Sequence, residues 1–315
     1  MIRTSAFLPK LAASLLFTSL SSAQALPQTS NGRAKDNRSG RAVLQPCGSA
    51  ATLQLTRSSA PQGGLLELTV RGQAALSDLK GKWGDADLEF WQASGRVGHA
   101  LLGVDVERAP GPYELSISGT AANGEPLTCS AGVDVTAGKF AIERLKVAPG
   151  FVELSPQDQA RAAKEGERLH AILTRVTPEK LWSGRFRFPL AGKPRGHNFG
   201  RRRVLNGEPR SPHTGLDVPA PAGTPIHAAQ AGRVVVAEKW FFSGNTVILD
   251  HGLGVYTFYG HMKRLNVKEG EQVKAGAILG LVGATGRVTG PHLHWGLIVD
   301  GSRVNPLGII RLPLR

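Results

Sequence analysis

The chain has 315 residues, 41% of them hydrophobic and 20% charged, and at about 150 residues per domain that length allows two domains, each with its own core. Its 39 glycines and 6% aromatics lean toward turn-rich β structure and exclude a coiled coil or a collagen. The formal charge of +14 implies an anionic partner, and it is unevenly placed: residues 1–139 hold 13 Lys and Arg against 11 Asp and Glu, and the remainder holds 25 against 13.

Arg3 and Lys10 precede the apolar run Leu11 to Leu20 and the triplet Ala23-Gln24-Ala25. Basic, apolar and small residues in that order describe a secretory signal peptide over residues 1–25, cleaved after about residue 25. The run falls short of the roughly 20 apolar residues that span a bilayer, so no stable membrane insertion is expected after cleavage. The expected location is periplasmic or secreted, and an oxidising compartment leads Cys47 and Cys129 to be expected as a disulfide. In the chain-entropy model a loop of that length is worth about 4–5 kcal/mol.

Residues 26–46 are rich in Ser, Asn, Gly and Arg without apolar periodicity, and read as a linker. Over residues 47–150 short alternating runs recur, among them Thr52-Leu53-Gln54-Leu55, Leu66 to Val70, Val104-Asp105-Val106, Tyr113 to Ile117 and Val133-Asp134-Val135. Period-two alternation broken by Gly and Pro predicts an antiparallel β-sandwich. Its single histidine, His99, is expected at the surface or in a turn.

Residues 151–181 carry a predicted linking helix. Ser155 is placed as N-cap with Pro156 at the first helical position, and no further Pro occurs to about Arg175. Ala163, Leu169, Ile172, Leu173 and Val176 can form one apolar stripe, with His170 beside it. Standing ahead of the last segment, this helix or the sandwich is expected to be able to cover a cleft there, until a regulatory partner or proteolysis moves it.

From residue 182 to 315 strand-like runs return: Thr224 to His227, Gly232 to Val236, Asn245 to Leu249, Val255 to Tyr259 and Ala277 to Val282. The whole chain is therefore expected to be mainly β, with a sandwich, a linking helix and a second β domain. Gly-bounded hairpins around Gly223 and Gly270 resemble those of lipoyl and biotinyl carriers, but Lys268 and Lys274 sit in ordinary solvated contexts.

Six of the nine histidines lie between His213 and His294. His292 and His294 are two apart, so on a strand both leave one face about 6.6–7 Å from each other. His213 and Asp217 are four apart, and Pro212, Gly215 and Pro219 argue against a helix. On a straight strand they would stand about 13 Å apart, so a bend is needed for them to share an ion, and Gly215 is the residue expected to permit it. Two imidazoles and a carboxylate suit Zn²⁺, leaving a fourth position for water whose pKa the ion lowers toward about 7. Spacing alone leaves open which of His292 and His294 is the ligand.

Together with Phe199-Gly200-Arg201-Arg202, Gly244-Asn245-Thr246-Val247, Tyr259-Gly260-His261 and the run Gly283 to Trp295, these motifs resemble the lysostaphin/LytM-like zinc metallopeptidases over about Phe186 to Pro306. The preceding half resembles the immunoglobulin-like domain of some exported members. The resemblance implies a LytM-type β-sheet catalytic domain, related to the barrel-sandwich hybrid, with zinc on His213, Asp217 and His294. It implies catalytic roles for His261 and His292, which orient the attacking water, handle protons and stabilise the oxyanion. The implied reaction is hydrolysis of peptide bonds in peptidoglycan. Family members often carry a Tyr in the loop before the first ligand, and residues 204–212 contain none; Asn206 or a nearby Arg is the available substitute. His197 is a candidate cleft residue, Arg202 an anchor or substrate contact, and His227 and His251 are expected at solvent or turns. The competing reading is a non-catalytic, wall-associated activator of other hydrolases. Nucleic acid is not an expected partner, because the basic residues lack interleaved aromatics for base stacking.

Overall fold

A computed structural model describes residues 42–146 and 154–314; the expected signal peptide and most of the expected linker lie outside the described residues. The alternation of the first half folds into two five-stranded sheets. One runs Val43–Cys47, Ala51–Leu55, Leu65–Gly72, Val97–Gly103, Phe90–Ser94, and the other Ser59–Pro61, Pro126–Thr136, Gly111–Ala121, Leu76–Trp83, Ala86–Leu88. Every second residue of Ala51–Leu55 and of Pro126–Thr136 points into the space between them, where Leu53, Leu68, Leu102, Leu115 and Val133 are fully buried. The Cys47–Cys129 disulfide, with Cα atoms 4.6 Å apart, ties the first strand of one sheet to the second strand of the other.

Two expectations for this half need correction. The run Val104-Asp105-Val106 is not a strand, because the strand ends at Gly103. Val104 and Val106 are nevertheless buried, and between them Asp105 receives Arg303 of the second half at 2.9 Å and 2.7 Å. His99 is not a turn residue: it sits inside the strand Val97–Gly103, stacks on Trp91 and lies 3.4 Å from Glu67.

The helix spans Pro156–Leu173, and Ser155 caps it by accepting the Asp158 N–H at 3.1 Å. Leu169, Ile172 and Leu173 pack on Val236, Trp240, Ile248, Tyr256 and Ile298, while Val176 is exposed, so the apolar stripe ends one turn early. Arg168 bridges Glu238 and Glu269 at 2.5 Å and 2.6 Å. The helix also bonds Lys239, Phe241 and Tyr256. It therefore walls one end of the second half's sheet instead of lying over the five histidine and aspartate positions singled out above.

That second half is a nine-stranded sheet. Its main path runs Gly215–Pro219, His292–Val299, Val255–Leu265, Gly244–Asp250, Gly232–Trp240, Gln272–Val273, with the path open at both ends. The strand His292–Val299 explains why the sheet has a dry side and a functional side. Leu293, Trp295, Leu297 and Val299 enter the main core, so by the period of two His292, His294 and Ile298 leave the opposite face. Ile298 meets the helix-covered cluster, and the two histidines are left beyond the helix.

Candidate metal centre

Antiparallel register brings the first two groups together: Asp217 and His294 are directly opposed partners, and His292 opposes Pro219 on the same face. His213 lies just before the strand Gly215–Pro219. Its backbone is held by Arg201, whose carbonyl accepts the His213 N–H at 3.0 Å, and by the Gly200 N–H donating to its carbonyl at 2.8 Å. His213 and Thr214 thus lead into the regular strand, which begins at Gly215. Gly215 has an ordinary strand conformation and serves otherwise than expected: a Cβ there would overlap the His294 ring.

The donor atoms converge. His213 Nε2 is 3.0 Å from His294 Nδ1 and 3.2 Å from Asp217 Oδ1, and His294 Nδ1 is 3.3 Å from Asp217 Oδ1. Two ligands held at 2.0–2.2 Å from one tetrahedral zinc stand about 3.3–3.6 Å apart, so a small outward movement of these side chains fits the ion. Their partners point the correct atoms inward. The Asn198 carbonyl accepts His213 Nδ1–H at 3.1 Å, which leaves the Nε2 lone pair free. Asn198 Nδ2 donates to Asp217 Oδ2 at 3.2 Å, which leaves Oδ1 facing the imidazoles. Burial alone would raise the Asp217 pKa, but hydrogen bonds and charge from His213 and His294 overcome it and hold the carboxyl well below its usual range. Burial also lowers His294, favouring the neutral imidazole that a metal requires.

His261 reaches the same place by a different device. Val247 pairs with Tyr259 and Asn245 with Met262, so Gly260 and His261 together oppose Thr246 in a β-bulge. His261 has φ of 62°, and its N–H donates to the Ser243 carbonyl at 2.7 Å. The bulge turns its ring to within 4.8 Å of the His292 ring and 5.9 Å of the His294 ring, centre to centre. The Thr285 carbonyl takes His261 Nδ1–H at 2.9 Å, and the Gly290 carbonyl takes His292 Nδ1–H at 2.9 Å. Both rings thus present Nε2 lone pairs, and His292 Nε2 lies 3.5 Å from Asp217 Oδ1. Burial, then the neighbouring His294, pushes the His261 pKa down to about 4.

The other candidates fall elsewhere. His197 is exposed and touches Asp217 through paired backbone bonds of 3.1 Å. His251 does not face solvent: it is completely buried, bonded to the Ala231 carbonyl and the Thr257 hydroxyl at 2.7 Å each. His227 bonds the Gly276 carbonyl. Arg202 begins the strand Arg202–Leu205, which pairs with Ile142–Leu145, and Asn206 lies in the turn after it with its N–H donating to the Leu145 carbonyl at 3.0 Å. Sequence reasoning missed Asn198; its one local signal is an Asn before Phe-Gly, a residue type tolerant of the left-handed conformation it adopts at φ 73°.

The model of peptidase family M23 matches residues 211–306, the stretch holding all five of these side chains. The chain carries a peptidase family M23 domain. Peptidoglycan DD-endopeptidase ShyA of Vibrio cholerae is 42% identical over 123 residues, covering 38% of this chain and 29% of that protein. The chain thus aligns with less than a third of that curated relative's length. A solved structure from Pseudomonas aeruginosa assigned to peptidase M23 is 28% identical and covers 79% of this chain and 94% of that one, with TM-score 0.55. That likeness extends well beyond the M23 domain. The catalytic domain of lysostaphin from Staphylococcus simulans is also similar, at 28% identity over 42% of this chain and 93% of that one, with TM-score 0.31.

Proposed function

We propose that the protein is an exported zinc metalloendopeptidase that hydrolyses peptide bonds of cell-wall peptidoglycan, with zinc on His213, Asp217 and His294. The carrying observation is the meeting of those three donor atoms within 4.8 Å of one another, beside two further imidazoles on the same face. Bound there, zinc supplies a Lewis acid and a water made acidic enough to attack a carbonyl at neutral pH. His292 Nε2 and His261 Nε2, each on a ring whose Nδ1 bonds a carbonyl, can accept the proton of the attacking water and return it to the leaving amine nitrogen. Protonated, the same nitrogens can donate to the oxygen of the tetrahedral intermediate. Neither tyrosine of the second half shares this work: Tyr259 is fully buried with its hydroxyl taking the Ala229 N–H, and Tyr256 bonds the helix end. The positive second half suits anionic stem peptides. The first half supports an immunoglobulin-like reading through its two facing sheets alone.

The test uses purified protein. It should hold about one zinc per chain, lost on alanine substitution of His213, Asp217 or His294. Alone, it should release peptide-cleaved fragments from sacculi, with glycan strands intact, in a manner stopped by a chelator and restored by zinc. Full zinc retention in all three variants would overturn the ligand set. A metal-loaded protein that releases nothing alone, yet stimulates a separate hydrolase, would replace the enzyme with an activator.

A further inference from the structure

The metal ligands are oriented by a segment that the first half of the chain grips. Asn198 is the shared partner of two ligands, through its carbonyl on His213 and its amide on Asp217. Its left-handed backbone is what lets carbonyl and side chain address the same site, and its own Oδ1 is buried without a partner. The next two residues are held by the first half of the chain. Phe199 lies against Phe140 with ring centres 6.2 Å apart, and a Cβ at Gly63 would overlap the Phe199 ring. A Cβ at Gly200 would overlap the Phe140 ring in turn. Phe140 follows Gly138, whose N–H donates to Gln62 Oε1 at 3.1 Å. Beyond it, Ile142–Leu145 adds a parallel strand to Arg202–Leu205, and Glu143 pairs with Arg201 and Arg203 at 3.4 Å and 3.2 Å. The backbone of Gly200 and Arg201 is what brackets His213.

We propose that Asn198 is a positioning residue for His213 and Asp217, and that the sandwich sets its conformation through Phe140 packed on Phe199 and Gly200. The inference rests on the zinc reading above. It makes the first half part of the metal site without contributing a ligand. Partners that orient first ligands typically change metal affinity by about 10–100-fold when removed.

The test is the zinc dissociation constant of the full chain, measured by competition with a chromogenic chelator, beside the thermal midpoint of the metal-free protein. Asn198→Gly keeps the left-handed backbone and removes the amide, and should weaken zinc about 10–100-fold. Asn198→Asp is isosteric and tolerates the same backbone, but it has no N–H for Asp217 and faces it as a like charge. It should weaken zinc at least as much. A backbone role alone would leave both at unsubstituted affinity, and that result overturns the assignment of Asn198. Phe140→Ala should weaken zinc in the same direction, with Phe140→Leu as the variant to read if the alanine does not fold. Unchanged affinity in the folded Phe140 variant overturns the part given to the sandwich. Absence of zinc from the unsubstituted protein would instead overturn the metal reading itself, so the two failures are distinct.

Discussion

Replacing Gly215 by alanine should damage the candidate metal centre while sparing the fold. The residue lies in an edge strand, opposite Gly296, with no left-handed backbone to lose. Alanine in a strand interior is ordinarily favoured over glycine by about 0.5–1 kcal/mol, so the local backbone gives no reason for unfolding. The cost falls on His294, because the added Cβ would overlap its ring beside Nε2. Restoring contacts of about 3.5–4.0 Å requires the ring to withdraw by more than about 1 Å. His294 Nδ1 now sits 3.0 Å from His213 Nε2 and 3.3 Å from Asp217 Oδ1, so such a shift opens two edges of the triangle of candidate donors together. Misplacement on that scale costs about 10²-fold in rate. Zinc titration and turnover on isolated peptidoglycan, each set beside the far-ultraviolet circular dichroism and the thermal midpoint, separate the two effects. A Gly215→Ala protein with unchanged zinc affinity and turnover would refute the steric account of this position.

His261→Ala and His292→Ala should each keep zinc and lose about 10²–10⁴-fold in turnover, checked by metal analysis and fragment release; zinc loss from His292→Ala would exchange its role with His294. His251 is completely buried and its pKa is pushed by burial down to about 4, so the unfolded chain binds its proton first and stability falls as pH drops from about 6.5 toward 4. The loss reaches about 3 kcal/mol at 1.36 kcal/mol per pH unit; His251→Gln should flatten that slope in urea melts of the metal-free protein. Arg303 holds Asp105 and Glu107 at 2.7 Å each and is itself mostly buried. Arg303→Ala should destabilise the contact between halves by about 2–4 kcal/mol, seen in calorimetry as unfolding that is broader than in the unsubstituted protein or split; a profile of unchanged shape would contradict a coupling role for this pair.

Local chemistry settles much of this protein. Alternation announced the two sheets of the first half, because a residue buried at every second position has no other regular conformation available. Ser155-Pro156 marked the helix start, because a side-chain acceptor and a missing N–H suit the unpaired first turn. The H-x-x-x-D and H-x-H spacings named the residues that meet at the candidate metal centre.

Sequence spacing did not decide how they meet. Asp217 and His294 are 77 positions apart and become neighbours only through antiparallel register. His213 is held at the strand's entry by Gly200 and Arg201, while at Gly215 a Cβ would overlap another strand's histidine. His261 enters through a bulge defined by the strand beside it, and His251, one more histidine by sequence, goes into the core. The same period that predicted a strand at Val104-Asp105-Val106 is used there by a loop, since burial of alternate residues requires only two faces and a partner across one of them. Spacing along the chain specifies which chemical groups are available; which of their atoms face one another depends on register, bulges and the grip of one half on the other, and these exist only once distant segments have packed.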